Sequence, residues 1–190
     1  MKTAAPHIVL GVTGSIAAYK AADLVRLMKR RGWGVSVVMT RAATEFVAPL
    51  TFQTLSREPV GLGLFDEKDS WHPEHLSFAE RADVLAIAPC TANVIAKLAH
   101  GLADDLLSCT ALATEAPLVI APAMNEGMWT HAATRANLDL LRSRGVRVVD
   151  VGVGELACGR TGRGRLADVE IVLKAIEEAL ELKHGKRSGT

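Results

Sequence analysis

Apolar residues fall along this chain in two rhythms. Short, nearly unbroken runs (HIVLGV from His7, VSVVMT from Val35, VLAIAP from Val84, LVIAPA from Leu118 and VRVVDV from Val146) alternate with longer stretches whose apolar positions recur every three or four residues. A strand is apolar on both sides only when helices cover both faces of its sheet. Regular alternation of such strands with helices is the mark of a doubly wound, mostly parallel sheet. The pattern therefore predicts a single-domain Rossmann-like (flavodoxin-like) α/β fold.

The helical stretches are IAAYKAADLVRLMKRRG, in which Ile16, Tyr19, Ala22 or Asp23, Leu27 and Met28 approximate one buried stripe; TANVIAKLAHGLADDLLSCTALAT, a pair broken near Gly101; and HAATRANLDLLRSRG. Gly32 and Gly145 stand where helices should end. A last helix, DVEIVLKAIEEALELK, completes a domain over residues 1–183, and the polar HGKRSGT over 184–190 is expected to be a disordered tail. Two segments break the rhythm. REPVGLGLFDEKDSWHPEHLSFAERAD is a connection with a short helix that Pro73 can start. GVGELACGRTGRGRLAD, rich in glycine and arginine, is too flexible for an ordinary connection unless it moves or embraces a ligand.

With 190 residues, 49% of them hydrophobic, the chain is long enough for one well-buried core. Lys and Arg number 22 against 21 Asp and Glu, so no broad basic field exists to hold a nucleic-acid backbone. Cys90, Cys109 and Cys158 are odd in number, far apart and without CxxC spacing, which argues against a disulfide framework or a zinc site and for a reducing cytoplasm. His7 and the Thr-Gly-Ser turn interrupt the apolar N-terminus, which parses as strand, turn and helix rather than as an export signal. No apolar run approaches the roughly 20 residues of a membrane helix.

Candidate chemistry collects at strand ends. In GVTGSIAAYK, Gly11 and Gly14 permit a tight turn, Thr13 and Ser15 offer hydroxyls, and the N–H groups opening the next helix can hold a phosphate. This is neither GxGxxG nor a P-loop, and an ordinary strand-to-helix turn explains it equally well. After the second strand, Thr40 and Arg41 stand where a dinucleotide enzyme needs a ribose-binding carboxylate, which favours a mononucleotide. APCTAN places Thr91 and Asn93 at the same kind of edge; a plain N-cap accounts for Thr91 but not for Asn93. In LVIAPAMNEGMW, a buried strand ends on a lone amide, Asn125. His72 and His75 lie at i, i+3 with no third ligand near, so no metal is expected.

Taken in order, GVTGSIAAYK, HLSFAERADV, APCTAN, APAMN with Met128, and ACGRTGRGR resemble the flavin-containing cysteine decarboxylases, most closely those that act on phosphopantothenoylcysteine in coenzyme A biosynthesis. The resemblance runs from about Ile8 to Leu173. It implies a homo-oligomer, a trimer or a trimer-based dodecamer, with FMN near each subunit boundary. The implied reaction converts 4'-phosphopantothenoylcysteine to 4'-phosphopantetheine and carbon dioxide, the flavin taking two electrons from the cysteinyl side chain and later returning them. By position the resemblance assigns catalysis to His75, Asn125 and Cys158, and a further active-site role to Met128. Gly14, Ser15, Thr13, Thr40, Thr91 and Asn93 are the expected cofactor residues, and Arg160, Arg163 and Arg165 either meet the substrate phosphate or only solvate the loop.

The residue chemistry agrees with those roles. A carboxylate leaves only if the carbanion behind it is delocalised, which needs an electron sink that side chains lack. Asn125 can donate to the substrate carboxylate without a full charge, whereas an arginine would hold the ground state most strongly just as its charge must disperse. His75 has a reference pKa of about 6.5 and can move a proton near neutrality, although a surface histidine capping its helix fits as well. Cys158 can supply a proton, or be an inert loop thiol. The chain departs from its relatives in having Asp104 and Asp105 where an asparagine usually stands beside an aspartate, and the fused cysteine-ligating synthetase domain of many bacterial relatives is not within these residues, so the synthetase is expected to be either a separate protein or part of a longer chain from which this one is cut. Two other readings remain: oxidative decarboxylation of a peptide's C-terminal cysteine, and a non-catalytic flavin-binding regulatory subunit.

Overall fold

The computed structural model describes residues 5–65, 72–155, 159 and 161–187. In chain order the elements are β1 His7–Val12, a 3-10 turn Ile16–Tyr19, α1 Lys20–Arg30, β2 Gly34–Met39, α2 Arg41–Thr44, α3 Pro49–Ser56, β3 Val60–Gly61, α4 Glu74–Arg81, β4 Val84–Cys90, α5 Ala92–His100, α6 Leu106–Ala113, β5 Leu118–Pro122, α7 Glu126–Thr130, α8 Ala132–Ser143, β6 Arg147–Val148, β7 Gly152–Glu155, β8 Thr161–Arg165 and α9 Val169–Arg187.

Six strands pair in the order β3-β2-β1-β4-β5-β6, all parallel, which is the doubly wound arrangement. Without the two-residue β3 the order reduces to that of flavodoxin. Alternate residues of each strand feed opposite faces. Ile8, Leu10 and Val12 of β1, with Val84, Ala86 and Ala88 of β4, pack with α1 and α9. Val9, Leu85 and Ile87 pack on the other face with α5, α6 and α8. Chain direction reverses across the sheet between β1 and β4, and a crevice opens outside their C-terminal ends.

Gly32 and Gly145 adopt φ of 78° and 84° just beyond α1 and α8, as helix ends require. Gly101, at φ 68°, closes α5 and separates it from α6. Several expectations need correction. The buried stripe of α1 is Ala21, Leu24, Val25 and Met28, whereas Ile16 and Tyr19 are exposed, because the tight first turn shifts the helical phase. The VRVVDV run pairs only over Arg147–Val148, since it forms the sheet edge and then turns away. The sequence pattern does not announce α2 or α3; Pro49 opens α3 and Arg57, at φ 63°, ends it. The helix α9 continues through Arg187, past the point where the disordered tail was expected. Within the glycine-rich segment, Gly152–Glu155 and Thr161–Arg165 pair antiparallel as β7 and β8. No described helix is long and apolar enough to cross a membrane.

At the N-terminal ends of the strands, opposite the crevice, His7 ties β1 to its neighbours. Its backbone N–H donates to Asp83 Oδ2 at 2.9 Å, and its Nε2 lies 2.9 Å from Ser36 Oγ. Burial, reinforced by the Arg81 charge, holds the imidazole below its ordinary 6.5. Since the folded state favours the neutral ring, this contribution to stability is present above the unfolded pKa and is lost as pH falls through the folded value. Thermal melts from pH 7 to pH 5 are therefore expected to show a smaller acid-induced fall in Tm for His7→Asn than for the wild type.

Candidate functional site

Three strand-to-helix junctions converge on the crevice. After β1, Gly14 lies so close to α2 that a Cβ would stand 2.5 Å from Ala42 Cβ. No other residue fits there without displacing the loop. Ser15 caps the following turn, its Oγ accepting from Ala17 N at 3.3 Å. Thr91 caps α5 and Asn125 caps α7, their side-chain oxygens accepting from Val94 N and Gly127 N at 3.4 and 2.9 Å. Capping commits Asn125 Oδ1 to the Gly127 amide.

These junctions line a cleft of about 820 Å³ that also includes Ile16, Tyr19, Lys20, Met124, Met128, Glu155 and Arg165. One wall is the strand β8, joined to the Asn125 segment by Met124 N donating to Gly164 O at 2.9 Å. The apolar lining of the cleft includes Ile16, Tyr19 and Met128, all exposed. Its polar lining includes two cations, Lys20 and Arg165. Burial, followed by repulsion from the Arg165 guanidinium, lowers the Lys20 pKa, and Asp168 offsets this only in part. Two like charges that disfavour each other in one cleft form a site that an anion stabilises.

Of the residues singled out from sequence, Gly14, Ser15, Thr91, Asn125, Met128 and Arg165 line this cleft. Thr40 sits at the C-terminal end of β2 with its Oγ1 buried and without a hydrogen-bond partner among the described residues. Thr13 is different. Its hydroxyl donates to Pro89 O at 2.8 Å and accepts from Thr91 N at 3.0 Å, and the residue is fully buried. It therefore joins β1 to β4 instead of facing a ligand. Asn93 lies exposed on α5, and the Arg163 side chain is exposed on β8; neither is among the residues lining the cleft. His75 is half-buried on α4, also away from the cleft of its own chain. Cys158 and Arg160 lie outside the described residues. Sequence reasoning missed Lys20, although it follows Ile16 and Tyr19 by four residues and one, a spacing that gathers the three on one helical side.

Asp104 and Asp105 do not enter the cleft. Asp105 caps α6 in a reciprocal box with Ser108, and Lys97 Nζ lies 2.6 Å from Asp104 and 2.7 Å from Asp105. Burial alone would push the Asp105 carboxyl up, but the bonds from Lys97 and Ser108 outweigh it and hold the pKa below 3.8. The cluster thus stabilises the fold above that value and loses its effect as pH drops through the depressed one. Lys97→Met leaves a half-buried carboxylate without its cation. It is expected to cost about 1–3 kcal/mol at neutral pH, measured by urea unfolding, and the difference from wild type should shrink in acid.

The Flavoprotein family matches residues 2–181. Over 175 residues the chain is 43% identical to a probable phosphopantothenoylcysteine decarboxylase of Streptococcus mutans, covering 91% of this chain and 98% of that protein. The chain belongs to the flavoprotein cysteine decarboxylases. Another relative in this family is the coenzyme A biosynthesis bifunctional protein CoaBC of Haemophilus influenzae, 42% identical over 183 residues, which make up 96% of this chain and 46% of that protein. The chain thus spans about half the length of the bifunctional relatives it matches. Among solved structures of these decarboxylases, a cysteine-to-serine mutant of PPC decarboxylase complexed with pantothenoylaminoethenethiol superposes with a TM-score of 0.84 at 31% identity, over 93% of this chain and 99% of that one. The FMN-dependent cysteine decarboxylase SpaF gives 0.82 at 32% identity, over 94% and 97%.

Proposed function

We propose that this chain catalyses FMN-dependent decarboxylation of 4'-phosphopantothenoylcysteine to 4'-phosphopantetheine in coenzyme A biosynthesis. The observation that carries this reading is one cleft lined by a capped neutral amide, Asn125, and by two mutually repelling cations, Lys20 and Arg165. A substrate that carries both a carboxylate and a phosphate matches that set of groups. A peptide ending in cysteine supplies the carboxylate but no phosphate for Lys20 and Arg165, which disfavours the peptide reading.

The residues present fit a flavin mononucleotide. The unpartnered Thr40 hydroxyl offers a hydrogen bond that nothing described in the chain uses. Gly14 and Ser15 bring backbone and a hydroxyl to the lining of the crevice. Gly14, Ser15, Thr40 and Thr91 would hold the cofactor. When bound, it supplies the electron sink that lets the bond to the carboxylate break. Asn125 Nδ2 orients the departing carboxylate by a hydrogen bond weak enough not to trap it. Met128 and Ile16 keep water from the reacting carbon. Cys158 would deliver the proton that accompanies return of two electrons from the flavin, which together reduce the enethiol to the thiol.

His75 is assigned acid–base work from a neighbouring copy in a homotrimer or larger trimer-based shell. Its position away from its own chain's cleft supports this, as do the large apolar side chains exposed at Ile16, Tyr19, Phe46 and Leu50 around the cleft mouth and α2–α3. The substrate is supplied by a phosphopantothenate–cysteine ligase, fused or separate, in the cytoplasm, where the thiols of Cys90 and Cys109 stay reduced.

The test is to load the protein with FMN, add phosphopantothenoylcysteine, and follow phosphopantetheine and carbon dioxide by mass spectrometry, with a cysteine-terminated peptide in parallel. Phosphopantetheine from the first and nothing from the second is expected. Turnover of the peptide alone would overturn the reading, as would loading without turnover of either.

A further inference from the structure

The strand β8 lies against the Asn125 segment in a manner its own sequence dictates. Along Thr161–Arg165 the exposed residues are Thr161, Arg163 and Arg165, and the two between them, Gly162 and Gly164, are buried. Gly164 is required by the backbone it touches, and Gly162 leaves room for the Glu126 carboxylate. A Cβ on Gly162 would stand 2.6 Å from Glu126 Oε2 and 2.9 Å from its Cδ. At Gly164, φ is 132° and a Cβ would run into the Met124 carbonyl. Two hydrogen bonds then fasten the strand: Met124 N donates to Gly164 O at 2.9 Å, and Arg163 N donates to Glu126 Oε1 at 3.1 Å.

Among the described residues, Glu126 contributes a side-chain hydrogen bond to this pairing of two backbones. It immediately follows Asn125, the cap of α7, and its carboxylate meets the backbone of the residue two before Arg165. An exposed acid in so short a helix adds little to the core. Its contact instead registers the strand carrying Arg165 against the adjoining segment that carries Asn125.

We propose that Glu126 is a positioning residue that sets the spacing between Asn125 and Arg165 by holding the Arg163 amide. This inference rests on the decarboxylase reading for its kinetic part, but the latch itself is measurable without turnover. The contact needs an acceptor oxygen and not a charge, so Glu126→Gln retains it and Glu126→Ala does not. Groups that must be held to within a fraction of an ångström lose rate steeply when their support loosens.

The experiment has two arms on the FMN-loaded protein. Hydrogen exchange at the Arg163 amide is expected to speed by about tenfold in Glu126→Ala and to stay near wild type in Glu126→Gln, as loss or retention of one hydrogen bond requires. In steady-state assays with phosphopantothenoylcysteine, Glu126→Ala is expected to lower kcat/KM by about tenfold or more with flavin content and Tm unchanged, and Glu126→Gln to restore it. Unchanged exchange in Glu126→Ala overturns the latch. Faster exchange with full activity overturns the positioning role, as does a Gln variant as slow as Ala. A wild type that exchanges as expected but turns over no substrate overturns the decarboxylase reading and leaves the latch standing.

Discussion

Asn125→Asp is expected to stop product formation while leaving the protein folded and loaded with flavin. Aspartate caps a helix as well as asparagine does, so the bond now made from Gly127 N to Asn125 Oδ1 persists and α7 keeps its start. The change is confined to the other end of the group, where an N–H donor becomes an acceptor bearing negative charge. A carboxylate substrate brought against it meets repulsion and finds no donor. Removal of one such donor typically costs about 10²–10³ in kcat, and the added like charge pushes the loss toward or beyond the upper figure. Single-turnover mass spectrometry gives the rate, and absorbance of the purified protein gives the flavin content. Activity within about tenfold of wild type would mean that Asn125 does not address the carboxylate.

Replacing both cleft cations, Lys20→Gln with Arg165→Gln, is expected to act on binding instead. Each charge-assisted hydrogen bond to a phosphate is worth about 1.5–3 kcal/mol, so KM for phosphopantothenoylcysteine should rise by about tenfold to a hundredfold per cation removed. For pantothenoylcysteine, which lacks the phosphate, KM should hardly move. The single Arg165→Gln change has a second signature: it removes the repulsion that, after burial, depresses the Lys20 pKa, so Lys20 should titrate closer to its ordinary 10.5. If both substrates weaken equally, the two cations serve the architecture of the cleft and not the phosphate.

The sheet was legible because its strands are buried on both faces and therefore apolar without a break; β1, β2, β4 and β5 fall where those runs do. Edge and surface elements carry weaker signals. The β6 run looks as long as the others but has a neighbour on one side only. The hairpin strand β8 is invisible to hydropathy because its buried positions are glycines, chosen for the approach of Met124 and Glu126 and not for hydrophobicity. The site was read in the same uneven way. Asn125 stood out because an amide ends an apolar strand. Thr13 also looked like a ligand donor, but a sequence does not reveal which way a hydroxyl points, and this one turns inward to Pro89 and Thr91. Lys20 was overlooked because Ile16 and Tyr19 beside it imitate a core stripe.

That inward hydroxyl has a consequence for cofactor loading. By clasping β1 to β4 where the strand order reverses, Thr13 sets the width of the slot between their ends in the protein alone. A junction tied in this way has little freedom of its own left to lose, so the disorder surrendered when the crevice is filled would belong mainly to the incoming molecule.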